Sequence, residues 1–259
     1  MKIAVIGATG QIGVRVVRFL NDIGHQTGAA AKEFGTNVLT GEGLAAALSG
    51  ADALVDVTNA PSFEADAVMR FFTTSASNIA AAAAKAEVGH YVLLSIVGAD
   101  GLPQSGYMRG KVAQERIVAE SGLPYTVVRA TQFYEFTPTI TSILTSNGEV
   151  RVPDALIQPI AAGEVAVQVS RAAISEPANG VLNVGGPDKL SFAEMAARVV
   201  ASRGEDTTVV VDSAATYFGA PLQTSSLVTS DGAVIGNARF SDWLRLSSPT
   251  SESKPSRAK

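Results

Sequence analysis

The chain begins Met1-Lys2-Ile3-Ala4-Val5-Ile6-Gly7-Ala8-Thr9-Gly10-Gln11-Ile12-Gly13. Ile3 to Ile6 is a short apolar run closed by Gly7, the pattern of a buried strand. Val14-Arg15-Val16-Val17-Arg18-Phe19-Leu20 follows, and Ile12, Val16, Phe19 and Leu20 fall on one helical face. Strand, glycine turn and helix in this order form the setting in which glycines at 7, 10 and 13 point to a dinucleotide. Gly7 allows a tight turn, Gly10 lets a pyrophosphate approach the backbone, and Gly13 lets the helix sit close to the strand. The free N–H groups at the helix start then face the anion. Gly7, Thr9, Gly10, Gln11, Ile12 and Gly13 are therefore the candidate pyrophosphate-binding residues.

Working outward, 259 residues suffice for one large domain or a domain with a smaller lobe. With 46% apolar and 17% charged residues the composition is that of a globular chain. A net charge of −4 provides no basic footprint for nucleic acid. The absence of cysteine excludes disulfides and thiolate metal sites, and His25 and His90 lie far apart, so no metal site is expected. No apolar run reaches the length of a membrane span. The apolar start reads as a first strand and not a signal peptide, which makes a cytoplasmic protein with a small-molecule substrate the expectation. The pattern carries no information on oligomeric state.

Strands are expected at 25–30, 53–57, 91–94 and 123–129, with helices at 41–48, 63–86 and 107–120 between them. Alternation of this kind implies an α/β fold, a doubly wound parallel sheet of Rossmann type. The second strand ends Ala30-Ala31-Lys32. An acidic residue there would bind the adenosine ribose hydroxyls; its absence, with Lys32 adjacent, favours NADP, although Glu33 follows and NAD stays open. The third strand ends in Thr58-Asn59-Ala60-Pro61, and strand ends of such a sheet line the cofactor crevice, so Thr58, Asn59 and Ala60 are candidate contacts. Asn78, inside the long alanine-rich helix, is expected to be exposed.

The pattern then loosens. A helical excursion is expected over 131–148, an extended piece at 157–160, a helix over 163–174, a strand at 181–184 and a last strand at 208–211. Ser191-Phe192-Ala193-Glu194 has capping-box spacing. We expect a dinucleotide-binding core over 1–132 and a smaller substrate lobe over 133–246, with part of 155–175 returning to the core. Residues 247–259 are expected to form a disordered tail. Phe133, Tyr134, Phe136 and Tyr217 are candidates for an apolar wall, although core packing is the commoner fate of such rings.

Ser95 ends the fourth strand, and Tyr107 and Lys111 stand at i and i+4 on the following helix. These are the parts for hydride transfer to a carbonyl. Tyr107 would serve as general acid/base, Lys111 would lower its pKa by favouring the phenolate, and Ser95 would orient the carbonyl oxygen. Gly110, inside the same helix, costs about 1 kcal/mol against Ala, and close backbone approach to the cofactor or to a neighbour is the expected reason.

Gly7-Ala8-Thr9-Gly10-Gln11-Ile12-Gly13, Ser95-Ile96-Val97-Gly98 and Tyr107-Met108-Arg109-Gly110-Lys111 together resemble an atypical short-chain dehydrogenase/reductase of the NmrA-like branch. Support comes from Ser121-Gly122-Leu123-Pro124-Tyr125-Thr126-Val127-Val128-Arg129-Ala130-Thr131-Gln132-Phe133, since in that family such a segment passes beneath the nicotinamide. The resemblance implies a Rossmann core, a small C-terminal lobe, NAD(P) as cofactor and Lys111 reaching ribose hydroxyls. It covers reductases of small carbonyls, quinones or enones, epimerases or isomerases, and redox sensors that bind the cofactor without turnover. Retention of Ser95, Tyr107 and Lys111 favours chemistry.

Overall fold

Short β-rich apolar runs alternate with amphipathic stretches along most of the chain, and the computed structural model, which describes residues 1–247, turns this into a sheet between helical layers. The expected tail lies, apart from Ser247, outside the described residues. The strands are β1 (Lys2–Ile6), β2 (Gln26–Ala30), β3 (Ala53–Asp56), β4 (His90–Ile96) and β5 (Tyr125–Ala130). The helices of this half are α1 (Gln11–Asp22), α2 (Leu44–Leu48), α3 (Ala65–Lys85) and α4 (Gly106–Ala119).

The later half contains β6 (Thr145–Ser146), β7 (Glu149–Val152), β8 (Leu156–Ile157), β9 (Gly180–Gly185), β10 (Leu190–Ser191), β11 (Thr208–Val211) and β12 (Val234–Ile235). Its helices are α5 (Thr137–Ile143), α6 (Ala162–Ala173), α7 (Phe192–Ser202) and α8 (Phe240–Ser247). The central sheet has seven strands, all parallel, in the order β12-β9-β5-β4-β3-β1-β2. β1 pairs with β2 on one side and β3 on the other, Ile6 lying opposite both Ala30 and Asp56. This reversal of strand order opens a crevice at the carboxyl ends of the strands.

On one face, Ile12, Val16 and Leu20 of α1 and Val165, Ala166, Val169 and Ala173 of α6 bury Val5, Val55, Val92 and Val128. On the other, Ile79, Ala80 and Ala83 of α3 and Val118 of α4 cover Ala4, Leu54, Tyr91 and Leu93. Small alanine side chains let α3 lie close to the sheet. Gly110 answers to the same closeness, because a Cβ there would stand 2.7 Å from Val68 Cγ1 and 3.1 Å from Phe72 Cδ2 of α3. A third core, around Tyr134, Ile157, Phe192, Met195 and Phe240, joins the later elements to one another and to Leu102 and Met108.

The later half departs from its sequence reading in two places. The expected helix over 131–148 is a 3₁₀ turn at Tyr134–Phe136, then α5, then the β6–β7 hairpin. Asn147 (φ 51°) and Gly148 (φ 79°) form its two-residue turn, and Asn-Gly is a strong signal for such a hairpin. β11 pairs with β7 outside the main sheet, and it is not the last strand, since β12 follows and pairs with β9. β9, β12 and α6 all belong to the main sheet and its helical layers. Ser191 caps α7, its hydroxyl accepting from Glu194 N at 3.0 Å.

Candidate active site

A cleft of about 700 Å³ runs over the carboxyl edge of the sheet, within the size range of small-molecule sites. One end is built by the glycine turn. The N–H groups of Gly7 and Ala8 both donate to Ala30 O, which folds the chain back after β1, and Gly7 takes φ +87°, where a Cβ would be strained. A Cβ at Gly13 would run into Gly7 O and stand 2.7 Å from Ala8 Cα, so only glycine lets α1 start this close to β1. No side chain caps α1, and its first turn contains no acidic residue. Its first N–H groups thus remain available to an anion. Gly7, Thr9, Gly10, Gln11 and Ile12 line the cleft; Gly13 lies beneath it. This donor set fits the pyrophosphate of a dinucleotide.

Beyond the turn, Ala31, Lys32, Glu33, Thr36, Asn37, Val38 and Leu39 form the wall. Thr9 Oγ1 donates to Glu33 at 3.2 Å, which draws the carboxylate over the turn; Lys32 is exposed at the cleft edge. The 36–39 loop is held by Asn78, whose side-chain amide donates to Val38 O (2.9 Å) and Leu39 O (3.0 Å). Asn78 is thus a bridging group, contrary to its expected exposure. Of the candidates after β3, Thr58 and Asn59 line the cleft. Thr58 turns its hydroxyl inward to Asp56 Oδ1 at 2.7 Å. Ala60 is not in the lining; it is 8% exposed and packs with Val68 and Phe72, while its neighbours Asn59 and Pro61 line the cleft.

At the far end the structure brings Ser95, Tyr107 and Lys111 into the same lining. Ser95 is the penultimate residue of β4, and its buried Oγ has no partner among the described residues; nor has Thr131 Oγ1, just after β5. Unpaired buried hydroxyls are uncommon, and that of Ser95, in the cleft lining, is free to meet a ligand's polar group. Tyr107 comes from the first turn of α4, which Ser105 caps by accepting from Met108 N at 3.4 Å. Its Oη donates to Asn59 Oδ1 at 2.6 Å. Burial pushes the Tyr107 pKa up to about 12, against the smaller downward pull of that bond.

Lys111, one turn on, does not bond to Tyr107. Its ammonium donates to Leu94 O (2.8 Å) and Gln114 Oε1 (2.5 Å) and lies 4.6 Å from the centre of the Phe72 ring. Gln114 Nε2 in turn donates to the fully buried Asp56 Oδ2 at 3.1 Å, where Tyr91 Oη also donates, at 2.9 Å. The expected depression of the tyrosine pKa by the lysine is therefore not what this geometry gives. Burial instead lowers Lys111 to about 8, Asp56 and then Glu115 opposing the shift. α4 is anchored from its other side by Arg129 of β5, which donates to both Glu115 oxygens (3.0 and 2.7 Å) and to Asp100 (2.9 Å).

Several lining residues carried no sequence signal. Thr36, Asn37, Val38 and Leu39 sit in an unpatterned loop, and Pro61 and Phe71 were not singled out. Of the four candidate wall aromatics, Phe133 lines the cleft, while Tyr134 is core, its ring against Phe240 and its Oη donating to Ala238 O. Tyr217 is buried, and burial and then Tyr107 push its hydroxyl pKa up. Phe136 stacks on Phe218, a ring the sequence reading had passed over.

Comparison with known proteins agrees with this geometry. Residues 7–173 match the family model described as NAD(P)H-binding. The chain belongs to that family. It is 28% identical over 149 residues to the photosystem II assembly factor Ycf39 of Cyanophora paradoxa, a match covering 52% of this chain and 46% of that protein. The chain thus matches less than half the length of this curated relative. Among solved structures, a dTDP-4-dehydrorhamnose reductase from Clostridium acetobutylicum superposes with a TM-score of 0.70 at 19% identity, covering 95% of this chain and 99% of that one. An NADPH-dependent quinone oxidoreductase from Escherichia coli gives 0.66 at 17% identity, covering 95% and 99%. These likenesses show the fold, that of NAD(P)-binding oxidoreductases and epimerases. Among the described residues no helix is long and apolar enough to cross a membrane.

Proposed function

We propose that the protein is an NAD(P)H-dependent reductase of a small carbonyl, quinone or enone. The observation that carries this reading is the convergence of a protonated tyrosine and an unpartnered serine hydroxyl at the end of the cleft opposite the glycine turn. Bound in the cleft, a reduced nicotinamide supplies a hydride. The chain supplies the proton and a place for the oxygen. Tyr107, with its pKa at about 12, holds its proton through neutral pH, the state needed of an acid. An acceptor oxygen that displaces Asn59 from the Tyr107 hydroxyl takes that proton as its C=O bond gives way to C–H and O–H, and Tyr107 regains a proton from water. Ser95 donates to the same oxygen and orients it. Gly7, Gly10 and the N-terminus of α1 would hold the pyrophosphate, with Thr9, Gln11 and Ile12 beside them and Gly13 letting the helix start close to the strand, and Thr58 and Asn59 would be in reach of the ribose or nicotinamide. Lys111, in the same lining, would be in reach of ribose hydroxyls.

The cofactor we assign is NADPH in preference to NADH. Lys32 stands exposed at the cleft edge, where a 2′-phosphate would find a cation, and Glu33 is engaged by Thr9. The test of the function is NADPH consumption by the purified protein across carbonyl and quinone acceptors. Tyr107→Phe should lower kcat by about 10²-fold or more, the usual contribution of general acid catalysis. Unchanged turnover in that variant overturns the assignment.

A second reading has its own observation. Lys111 bonds to Leu94 and Gln114 and not to Tyr107, and the chain is similar to an assembly factor. A dinucleotide-binding regulator would bind NADPH and turn over no acceptor, with cofactor binding changing a partner's affinity. An epimerase on the same residues would convert its substrate with no net oxidation of cofactor.

A further inference from the structure

Tyr217, Phe218, Gly219 and Ala220 form a tight two-residue turn. Tyr217 N donates to Ala220 O at 2.8 Å and Ala220 N to Tyr217 O at 3.0 Å. Both central residues have positive φ, +48° at Phe218 and +79° at Gly219. Glycine, asparagine and aspartate dominate such turns, and a bulky side chain at positive φ is an outlier. Strain of this kind persists where the surroundings over-determine it, and it clusters at ligand clamps.

Rings hold Phe218 there. It lies over Tyr107 (centroids 5.9 Å, planes 28° apart), beside Phe63 (5.4 Å, 34°) and nearly parallel to Phe136 (6.3 Å, 9°). Tyr217 braces it edge-on at 4.7 Å. Phe63 also faces Tyr107, at 5.7 Å, and is 55% exposed. Phe63 and Phe218 thus lie against the Tyr107 ring and Phe136 backs Phe218, a group of uncharged rings, each at least partly exposed, beside the point where Tyr107 enters the cleft.

We propose that Phe218 is the specificity-determining residue of this site, a clamp that selects a flat, uncharged aromatic or quinoid acceptor. The proposal rests on the reductase reading of the same cleft and deepens it. An acceptor that presents its oxygen to Tyr107 lays the rest of its body against these rings. Offset stacking rewards a flat π face. A sugar or polyol in the same position leaves its hydroxyls unpaired against phenyl rings, which is unfavourable. The strained turn is retained because relaxing it would withdraw the ring that closes this wall.

The test separates the clamp from the chemistry. Full-length protein saturated with NADP⁺ is titrated calorimetrically with benzamide and with cyclohexanecarboxamide, a matched pair differing in the flatness of the ring and inert to reduction. The variant is Phe218→Asn, which removes the ring and places in the turn a residue suited to positive φ. Unchanged NADP⁺ affinity in the variant checks its fold, and Phe218→Tyr is the rescue. We expect at least tenfold tighter binding of benzamide by the wild type, a gap under twofold in Phe218→Asn, and its return in Phe218→Tyr. Equal binding of the two amides by the wild type, or equal weakening of both in Phe218→Asn, overturns the clamp. Benzaldehyde and cyclohexanecarbaldehyde, assayed with NADPH, report on the reductase reading separately. Turnover without ring preference leaves the reductase and removes the clamp. Ring preference in the amides without turnover of any acceptor leaves the clamp and removes the reductase.

Discussion

Replacing Lys111 by Met should make the protein's stability respond differently to pH, and the size of the change follows from the burial of the ammonium. Lys111 is almost fully inaccessible, and desolvation lowers its pKa from 10.5 to about 8 despite the opposing pull of Asp56 and Glu115. The unfolded chain titrates this lysine at its ordinary value. Between pH 8 and 10.5 the unfolded state therefore binds more protons than the folded one, and stability rises with pH across that window. Below pH 8 both states are protonated and the full cost is present. At about 1.4 kcal/mol per pH unit, the interval corresponds to about 3 kcal/mol. Met fills a similar volume without an ionisable group. It leaves Leu94 O and Gln114 Oε1 without their donor, a loss that does not depend on pH. The assay is urea unfolding of both proteins from pH 7 to 10.5, with the difference in unfolding free energy plotted against pH. Tyrosines and other lysines titrate in both proteins and cancel in the difference. We expect wild type to gain about 3 kcal/mol on Lys111→Met over this range. A flat difference, or one of opposite slope, would mean that Asp56 holds the ammonium charged through the Gln114 bridge at no net cost, and the reasoning fails.

Gly110→Ala gains about 1 kcal/mol of helix propensity but places a methyl 2.7 Å from Val68 Cγ1; overpacking costs about 1–3 kcal/mol, so net destabilisation by thermal or urea unfolding is expected. In a Val68→Ala background the same substitution should become neutral or stabilising. Lys32→Ala should weaken NADPH binding about tenfold and leave NADH within twofold, read by nicotinamide fluorescence, the phosphate contact being of the charge-assisted kind worth about 1.5–3 kcal/mol; equal loss for both removes Lys32 from the phosphate role. Arg129→Met strands the largely buried Glu115 carboxylate and should cost about 3–5 kcal/mol in urea unfolding. Adding Glu115→Gln should recover a large part of that loss.

The order of strands and helices around the sheet was legible because glycines, apolar runs and helix caps are local signals. Gly7, Gly10 and Gly13 announce a turn by a spacing that lies within seven residues, and Ser191 announces its helix through Glu194. Asn147-Gly148 was equally local and was simply not read. The site was legible where one helix carries it, as with Tyr107 and Lys111, which share a face by spacing. Their partners were not. Asn59 meets Tyr107 across 48 residues, and Asp56 reaches Lys111 through a Gln114 bond spanning 58, so these depend on how α4 sits on the sheet. That seating also decides the outcome for the Tyr107–Lys111 pair. Phe218 escaped for another reason: nothing in Tyr-Phe-Gly-Ala says that the phenylalanine takes positive φ. Ala60 was misplaced because it packs inward on Val68 and Phe72 while Asn59 and Pro61 on either side line the cleft.

The sheet's two late strands have a kinetic consequence during synthesis. β1 to β5, with the glycine turn and both helices that carry the cleft, emerge from the ribosome before β9 exists. Until β9 arrives, the edge of β5, Tyr125–Ala130, offers a row of unpaired amides flanked by Val127 and Val128. An edge of that kind is a template for pairing with another chain. Closure then waits on distant pieces: β12 must find β9, and the Tyr134 hydroxyl reaches Ala238 O across 104 residues. Such non-local closures are slow. The nascent chain is therefore most prone to aggregate after its nucleotide-binding turn is complete and before its sixth strand is in place, which argues for slow expression at low temperature and for folding helpers that shield the β5 edge.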